Sequence, residues 1–311
     1  MRKDTIVIGT RSSKLALWQA DYIQAKLRER YPELPVVEKR MTTKGDRVLD
    51  APLAKIGGKG LFTKELEQAM LAGEIDIAVH SLKDMPTELP PGLVLAAVTE
   101  RFDAGDAVVS PRYGTLANLP QGAKVGTSSL RRRAQLLAQR PDLEIVSLRG
   151  NVNTRLQKLE DEDFDAIILA VAGLKRLGFG ERITEVLDKS VCLPAVGQGA
   201  LAIEARADDE EMISRLAFLD DAAMRAAARA ERAFLARVEG GCQVPVGVYA
   251  TAEGTTLAIE AVIASLDGAR LYRSSRTGSV VAAEALGRDL AEELLAAGGE
   301  AILQELGLLQ D

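Results

Sequence analysis

One local pattern occurs twice in this chain, and it limits the fold more than any other feature. Residues 6–20 read IVIGTRSSKLALWQA and residues 123–137 read AKVGTSSLRRRAQLL. Each copy is a short apolar run, then Gly-Thr, then paired serines, then a stretch with helical spacing. An apolar run of strand length bounded by turn residues reads as a buried strand, and the serines read as helix caps. The glycine is taken to permit the tight turn, while the serines and the free N–H groups of the helix start offer donors to an anion. A second pair lies downstream of each copy. EIDIAVHSLKDMP (74–86) and DFDAIILAVAGLKRL (163–177) both run acidic residue, apolar strand, turn, Leu-Lys. The two repeats predict two similar α/β domains, each presenting an anion-binding edge at the carboxyl ends of its strands, where open α/β sheets hold ligands.

The second copy carries a concentration of positive charge. Between Lys124 and Lys158 stand Arg131, Arg132, Arg133, Arg140, Arg149 and Arg155, so eight basic residues face two acidic ones, Asp142 and Glu144. The whole chain has a net charge of −6. A basic island in an acidic chain concentrates positive potential where an anion is wanted, and guanidinium suits a bidentate grip on carboxylate or phosphate. Either Ser128 or Ser129 can cap the helix expected from about Leu130. A solvated basic helix face is the plainer reading; the arginines beyond the second strand, Ile145 to Leu148, weigh against it.

The remaining chain fits around this pair. Helix spacing runs from Lys14 to about Arg30, with Leu15, Trp18, Tyr22 and Ala25 expected on its core face. Strands are expected at Val36–Met41, Asp76–Val79, Leu93–Val98, Asp106–Ser110, Ala166–Ala170 and Leu201–Ala205, with a helix at Phe62–Ala72. Residues 42–60 form a long glycine- and lysine-bearing connection, whose Gly57-Gly58-Lys59-Gly60 lacks phosphate-loop spacing. The turn-rich segments Thr99–Gly105 and Pro194–Gly199 read as two crossings between the domains, which makes a hinge. After the alanine-rich helix Asp221–Val238, the composition turns to hairpin-linked strands at Val246–Ala250, Thr255–Ala264 and Ala269–Thr277. Two closing helices, near 280–296 and 300–308, complete a small α+β third domain. The division is 1–99 with 200–219, then 100–199, then 220–311.

Three single residues draw chemical interest. Asp84 follows a strand end beside Lys83; it is either a carboxylate placed to stabilise a developing cation or an ordinary helix-start acid. His80 reads as a satisfied structural histidine. Cys242 follows Gly240-Gly241. It is either a small buried hydrophobe or a loop thiol that the arginines would activate.

Composition excludes several classes. A pI near 5.2 and 4% aromatic residues argue against a nucleic-acid binder. No apolar run reaches membrane-span length, and the start MRKDTIVIGT lacks a secretory pattern. Two cysteines and one histidine, without ligand spacing, leave no metal site. The expected compartment is the reducing cytoplasm.

The motifs IGTRSSKLALWQA, GDRVLDAPLAKIGGKGLFTKELE, DIAVHSLKDMPTELP, VGTSSLRRRAQL, LRGNVNTRLQKL, AVGQGALAIE and EGGCQVPVG together resemble the porphobilinogen deaminase (hydroxymethylbilane synthase) family. They cover nearly all of the first two domains and the start of the third; after about Ala250 the likeness is diffuse, and Val246 stands where the family often has isoleucine. The fold expected is α/β, with two domains of the periplasmic-binding-protein-like type joined by a double crossover hinge, plus the α+β domain. The resemblance implies a transferase of tetrapyrrole (haem and porphyrin) biosynthesis that joins four porphobilinogen molecules head to tail into hydroxymethylbilane with loss of ammonia. It implies a dipyrromethane cofactor held by a thioether on Cys242, and Asp84 as the catalytic carboxylate. It implies cofactor contacts at Ser81, Lys83, Ser129, Arg131 and Arg132. Substrate contacts would fall to Arg11, Ser13, Thr127, Ser128, Arg149, Arg155 and Arg176. Porphobilinogen is the expected partner of a cytoplasmic monomer that takes no nucleic acid, membrane or metal. Each pyrrole carries an acetate and a propionate, so an arginine-rich edge suits a growing chain. A carboxylate near the pyrrole N–H would stabilise the positive charge left as ammonia departs. The competing class is a two-domain anion-binding protein without catalysis, which has no need of Cys242.

Overall fold

The computed structural model describes residues 5–43, 45, 63–238 and 244–309. Nearly all of the 42–60 connection, and Cys242 with the residues flanking it, lie outside that set. The chain forms two compact units, Met1–Arg101 with Ala200–Ala222 and Phe102–Gly199 with Ala223–Asp311.

With strands numbered along the chain, the first unit is built on β1 (Ile6–Arg11), β2 (Val36–Met41), β3 (Ile77–Ser81), β4 (Leu93–Val98) and β10 (Leu201–Arg206). Their order is β2-β1-β3-β10-β4; β1 runs parallel to β2 and β3, and β10 runs antiparallel to β3 and β4. Helices α1 (Lys14–Arg30) and α2 (Lys64–Leu71) pack on it. The second unit holds β5 (Asp106–Val109), β6 (Lys124–Gly126), β7 (Glu144–Val146), β8 (Ala166–Ala170) and β9 (Glu185–Val186) in the order β7-β6-β8-β5-β9. Here β6 is parallel to β7 and β8, and β5 is antiparallel to β8 and β9.

The two orders are the same slot for slot. β1 corresponds to β6 and β3 to β8, so the weak repeat in the sequence is a repeat of topology. The strand that first enters each sheet after a crossing, β5 or β10, takes the same antiparallel position. In β5 and β8 alternate residues go to opposite faces. Val108 and Ile168 join Val125 and Leu136 on one side; Val109, Ile167 and Leu169 join Leu156 and Leu174 on the other. A sheet covered on both faces needs such continuous apolar strands. The helices between the strands of this sheet are α3 (Leu130–Gln139), α4 (Val152–Asp161) and α5 (Val171–Arg176). Helix α6 (Glu210–Leu216) belongs to the first unit.

The second unit also contains a separate antiparallel meander, β11 (Val246–Glu253), β12 (Thr256–Ala264) and β13 (Leu271–Ser279). Helix α7 (Ala222–Arg237) precedes it, and α8 (Ala283–Leu294) and α9 (Glu300–Glu305) follow it. The architecture is two α/β sheets of one topology linked by two crossings of the chain, plus a small α+β portion.

Two local expectations fail for physical reasons. The buried row of α1 is Ala16, Gln19, Ala20, Ile23 and Leu27, not Leu15, Trp18, Tyr22 and Ala25. Both rows have helical period, and period does not set phase. The small alanines let the helix lie close to the sheet, while Trp18 and Tyr22 stack on each other, 5.4 Å between centroids, at the flank. The glycines of the two Gly-Thr pairs are also not there for an unusual turn, since neither has a positive φ. A Cβ on Gly9 would come within 2.3 Å of Ile75 Cδ1, and one on Gly126 within 3.0 Å of Leu148 Cδ2. Close packing, not backbone conformation, requires them.

Candidate functional site

In the first unit the singled-out residues leave the carboxyl ends of the neighbouring parallel strands β1 and β3. Arg11 is the last residue of β1. Ser13 caps α1, its Oγ accepting from the Ala16 N–H at 3.3 Å. Ser81 ends β3, and its Oγ accepts from the buried Gln19 amide at 2.8 Å. Lys83 and Asp84 then lie, half-buried, in a single 3-10 turn, Leu82–Asp84. The Met85 N–H closes that turn on the Leu82 carbonyl, and the Leu82 N–H donates to the Ala200 carbonyl before β10. Asp84 is thus fixed by backbone at both ends. Gln19 had been passed over in the sequence; its only signal there was a polar residue in the alanine row of the helix.

Behind this turn is a buried titratable group of three. His80 Nε2 lies 3.2 Å from Glu204 Oε2, and both side chains are buried. His80 is buried in the fold as expected, but it is not satisfied: among the described residues neither its Nε2 nor either Glu204 carboxylate oxygen makes a hydrogen bond. Glu67 on α2 is also buried; burial first, then the neighbouring Glu204 charge, pushes its carboxyl above the usual range, with the Thr63 hydroxyl working the other way.

In the second unit the arginine island separates into parts with different work. Ser129 caps α3, accepting from the Arg132 N–H at 3.3 Å, which resolves the choice between the serines. Ser128 instead donates to the Leu148 carbonyl at 2.7 Å, tying the turn after β6 to the segment after β7. Buried Thr127 accepts from the Ser129 N–H. Arg149 follows directly, half-buried. Arg155 Nε donates to the Gly150 carbonyl at 2.8 Å. Arg176 Nη2 donates to the Gly199 carbonyl at 2.7 Å, and its guanidinium lies 5.8 Å from the exposed Phe102 ring.

Arg131 and Arg132 are buried, at 4% and 5% exposure. Both pair with Asp106, at the start of β5, whose exposure is 0%. Burial alone would push the Asp106 carboxyl up, but the two guanidinium groups outweigh it and hold it well below the usual carboxylate range. The plainer reading of a solvated basic face therefore fails for these two. Arg133 and Arg140 do structural work: Arg133 donates to the Leu266 carbonyl, and Arg140 pairs with Asp142 at 2.7 Å and reaches the Leu116 and Leu119 carbonyls. The sequence reading gave Asp106 no role beyond opening a strand. An acid opening an otherwise apolar strand, in a domain with an arginine-rich helix start, was the available signal.

Cys192 is the free cysteine among the described residues. It is buried beside Arg131 and Asp106; burial and the Asp106 charge push its thiol up to about 12. Among the described residues there is no cluster of three groups able to hold a metal ion, and no helix is long and apolar enough to cross a membrane.

Two family models match this chain. The porphobilinogen deaminase, dipyromethane cofactor binding domain covers residues 6–214, and the porphobilinogen deaminase, C-terminal domain covers 226–296. The porphobilinogen deaminase of Syntrophotalea carbinolica is 54% identical over 308 residues, 99% of this chain and 98% of that one. That of Roseiflexus castenholzii is 55% identical over 301 residues, 97% of this chain and 99% of that one. Among solved structures, the periplasmic aliphatic sulphonate binding protein of Escherichia coli superposes with a TM-score of 0.41 at 17% identity, over 75% of this chain and 70% of that one.

Proposed function

The chain belongs to the porphobilinogen deaminase family, and from that premise we propose how its own residues carry out the reaction. The activity is that of a hydroxymethylbilane synthase, a transferase of tetrapyrrole biosynthesis. Four porphobilinogen molecules are condensed head to tail into hydroxymethylbilane, and ammonia is released. The observation that carries the residue-level reading is the contrast at the strand ends. One unit presents a half-buried Lys83–Asp84 turn, and the other carries half-buried Arg149, Arg155 and Arg176 on the segments after β7 and β8, with a Ser129-capped helix after β6.

The donor set of the second unit fits a dipyrromethane. A single carboxylate, Asp106, faces two guanidinium groups, so positive charge is left over. Nη1 of Arg131 donates to Asp106, the Leu193 carbonyl and Cys192, while its Nε and Nη2 have no acceptor among the described residues. Carboxylates on the pyrrole rings would take these donors, with Arg131, Arg132 and Ser129 as holding residues in this unit; Ser81 and Lys83, in the first unit, are proposed as cofactor contacts on the family likeness alone. When bound, the group supplies a tethered primer on which the chain grows. Cys192 is poorly suited to the tether, because a buried thiol raised to about 12 is almost wholly protonated near neutral pH. Cys242, within the span of the C-terminal family model, is the proposed attachment point.

The remaining roles follow from charge. Asp84 offers a fixed negative charge to the pyrrole as positive charge develops and ammonia leaves, and it can move the proton of the leaving amine. Arg11, Ser13, Thr127, Ser128, Arg149, Arg155 and Arg176 hold substrate carboxylates and orient the incoming ring. Three domains, 1–99 with 200–219, 100–199 and 220–311, a monomeric state, a cytoplasmic location and no affinity for nucleic acid complete the reading.

Intact-mass spectrometry with an ammonia assay tests it. The purified protein should carry a dipyrromethane adduct and release ammonia from porphobilinogen. Cys242→Ser should fold without adduct or activity, and Cys192→Ser should keep both. Loss of the adduct from Cys192→Ser with retention in Cys242→Ser would overturn the attachment. Anion binding with neither adduct nor ammonia release would favour the non-catalytic alternative.

A further inference from the structure

Asp106 touches more of the proposed anion site than any role so far given to it explains. It is fully buried at the start of β5, a strand flanked by β8 and β9 and therefore interior to its sheet. Its Oδ2 accepts from Arg131 Nη1 at 2.5 Å and from the Cys192 thiol at 3.4 Å. Its Oδ1 accepts from Arg132 Nε at 3.0 Å, Arg132 Nη2 at 2.7 Å and Gln198 Nε2 at 2.9 Å. Gln198 also donates to the Ala104 carbonyl at 2.8 Å, so the residues before β5 and the return crossing are tied to the same carboxylate.

We propose that Asp106 is the positioning residue that sets the orientation of Arg131 and Arg132 for an anionic, carboxylate-bearing ligand, a proposal that rests on the porphobilinogen deaminase reading. Two neighbouring guanidinium groups repel each other, and burying both without a counter-charge is unfavourable. Asp106 removes that obstacle and also selects which edge of each group turns inward. Arg132 presents its Nε–Nη2 edge to Asp106 and gives Nη1 to the Ile168 carbonyl. Arg131 spends only Nη1, which leaves the Nε–Nη2 edge for the ligand. One carboxylate cannot neutralise two cations, so an incoming carboxylate completes the charge balance. A second buried acid at the same place would have closed the site.

The experiment separates positioning from mere stabilisation. Apo-protein made without porphobilinogen is mixed with porphobilinogen, and the mass gain of cofactor assembly is followed with time. Alkylation of the Cys242 thiol by iodoacetamide, resolved by peptide mapping, is the control. Asp106→Asn should fold by circular dichroism and alkylate at the wild-type rate, yet gain mass about thirtyfold more slowly or worse. Asp106→Glu, which keeps the charge and moves it by one methylene, should recover part of the rate. Mass gain by folded Asp106→Asn at the wild-type rate would overturn the proposal, as would equal slowing of alkylation and mass gain. Should Asp106→Asn fail to fold, Gln198→Met keeps every charge and removes one restraint on Oδ1. It should slow mass gain severalfold with alkylation unchanged, and an unaltered rate would overturn the proposal. A wild-type protein that gains no mass would sink the family-level reading, and this proposal with it.

Discussion

Strands β5 and β10 hold the same slot in two sheets of the same order, and each buries one carboxylate with entirely different company. Asp106 at the start of β5 meets two permanent cations, Arg131 and Arg132. Glu204 in β10 meets a histidine, His80, with another acid, Glu67, close by. The 3-10 turn after β3 and helix α5 after β8 diverge in the same way. Leu82-Lys83-Asp84 after β3 corresponds to Leu174-Lys175-Arg176 after β8, so one scaffold position ends in an acid and its counterpart in a base. Topology was duplicated and charge was not. The second unit offers a positive edge whose buried Asp106 is held well below the usual carboxylate range by its two guanidinium partners, a setting for the carboxylates of the proposed ligand. The first offers one carboxylate on a rigid turn, suited to meeting a cation that exists only during reaction.

Exchanging those charges tests the contrast most severely. Asp84→Asn keeps size and a hydrogen-bonding oxygen but removes charge, while Asp84→Glu keeps charge and moves it. Single-turnover ammonia release, with the adduct confirmed by mass, should fall by about 10²–10³ for Asn and by less for Glu. Near-normal release by Asp84→Asn would return Asp84 to the role of an ordinary helix-start acid.

On the other unit, Arg149→Leu, Arg155→Leu and Arg176→Leu should slow elongation rather than abolish the first ammonia release. Losing one partner of a desolvated charge pair costs about 2–5 kcal/mol. The mass distribution of protein-bound chains should shift to shorter species. An unchanged distribution would mean that these arginines do not hold substrate.

The shared scaffold should respond alike in both halves. Gly9→Ala and Gly126→Ala each push a methyl group into packed side chains, so each should cost about 1–3 kcal/mol in urea unfolding. A neutral result at one site alone would show that the two turns are packed on different principles.

The smallest effect concerns pH. Arg131 and Arg132 hold Asp106 low against the effect of burial, so the stability it contributes is present above the unfolded carboxyl value of about 3.9 and is lost as pH falls through the folded value. Glu67 has the opposite sign. Burial raises its carboxyl, so its contribution is full below about 4.3 and declines as pH rises through the folded value. Glu67→Gln should therefore match the wild type in acid and exceed it near pH 7. Denaturation midpoints at both pH values check this, and a variant weaker than the wild type at pH 7 would contradict it.

Local chemistry was enough to determine the strands, the Ser13 cap and the duplicated strand-turn-helix pattern, because each depends on neighbours within a few positions, whereas the choice of Ser129 over Ser128 as cap was left to the structure. Long matched motifs such as VGTSSLRRRAQL and EGGCQVPVG were enough for the family. Three things required the tertiary structure. The phase of α1 did, because helical period is blind to which face meets the sheet. The reason for Gly9 and Gly126 did, because Ile75 and Leu148 lie far along the chain from them. The division of the arginine island did as well. Six arginines look alike in a string, and only the arrival of Asp106 from across the sheet separates two buried, oriented guanidinium groups from Arg133 and Arg140, which hold the fold. Burial decides what a charge does, and burial is a property of contacts between segments distant in sequence.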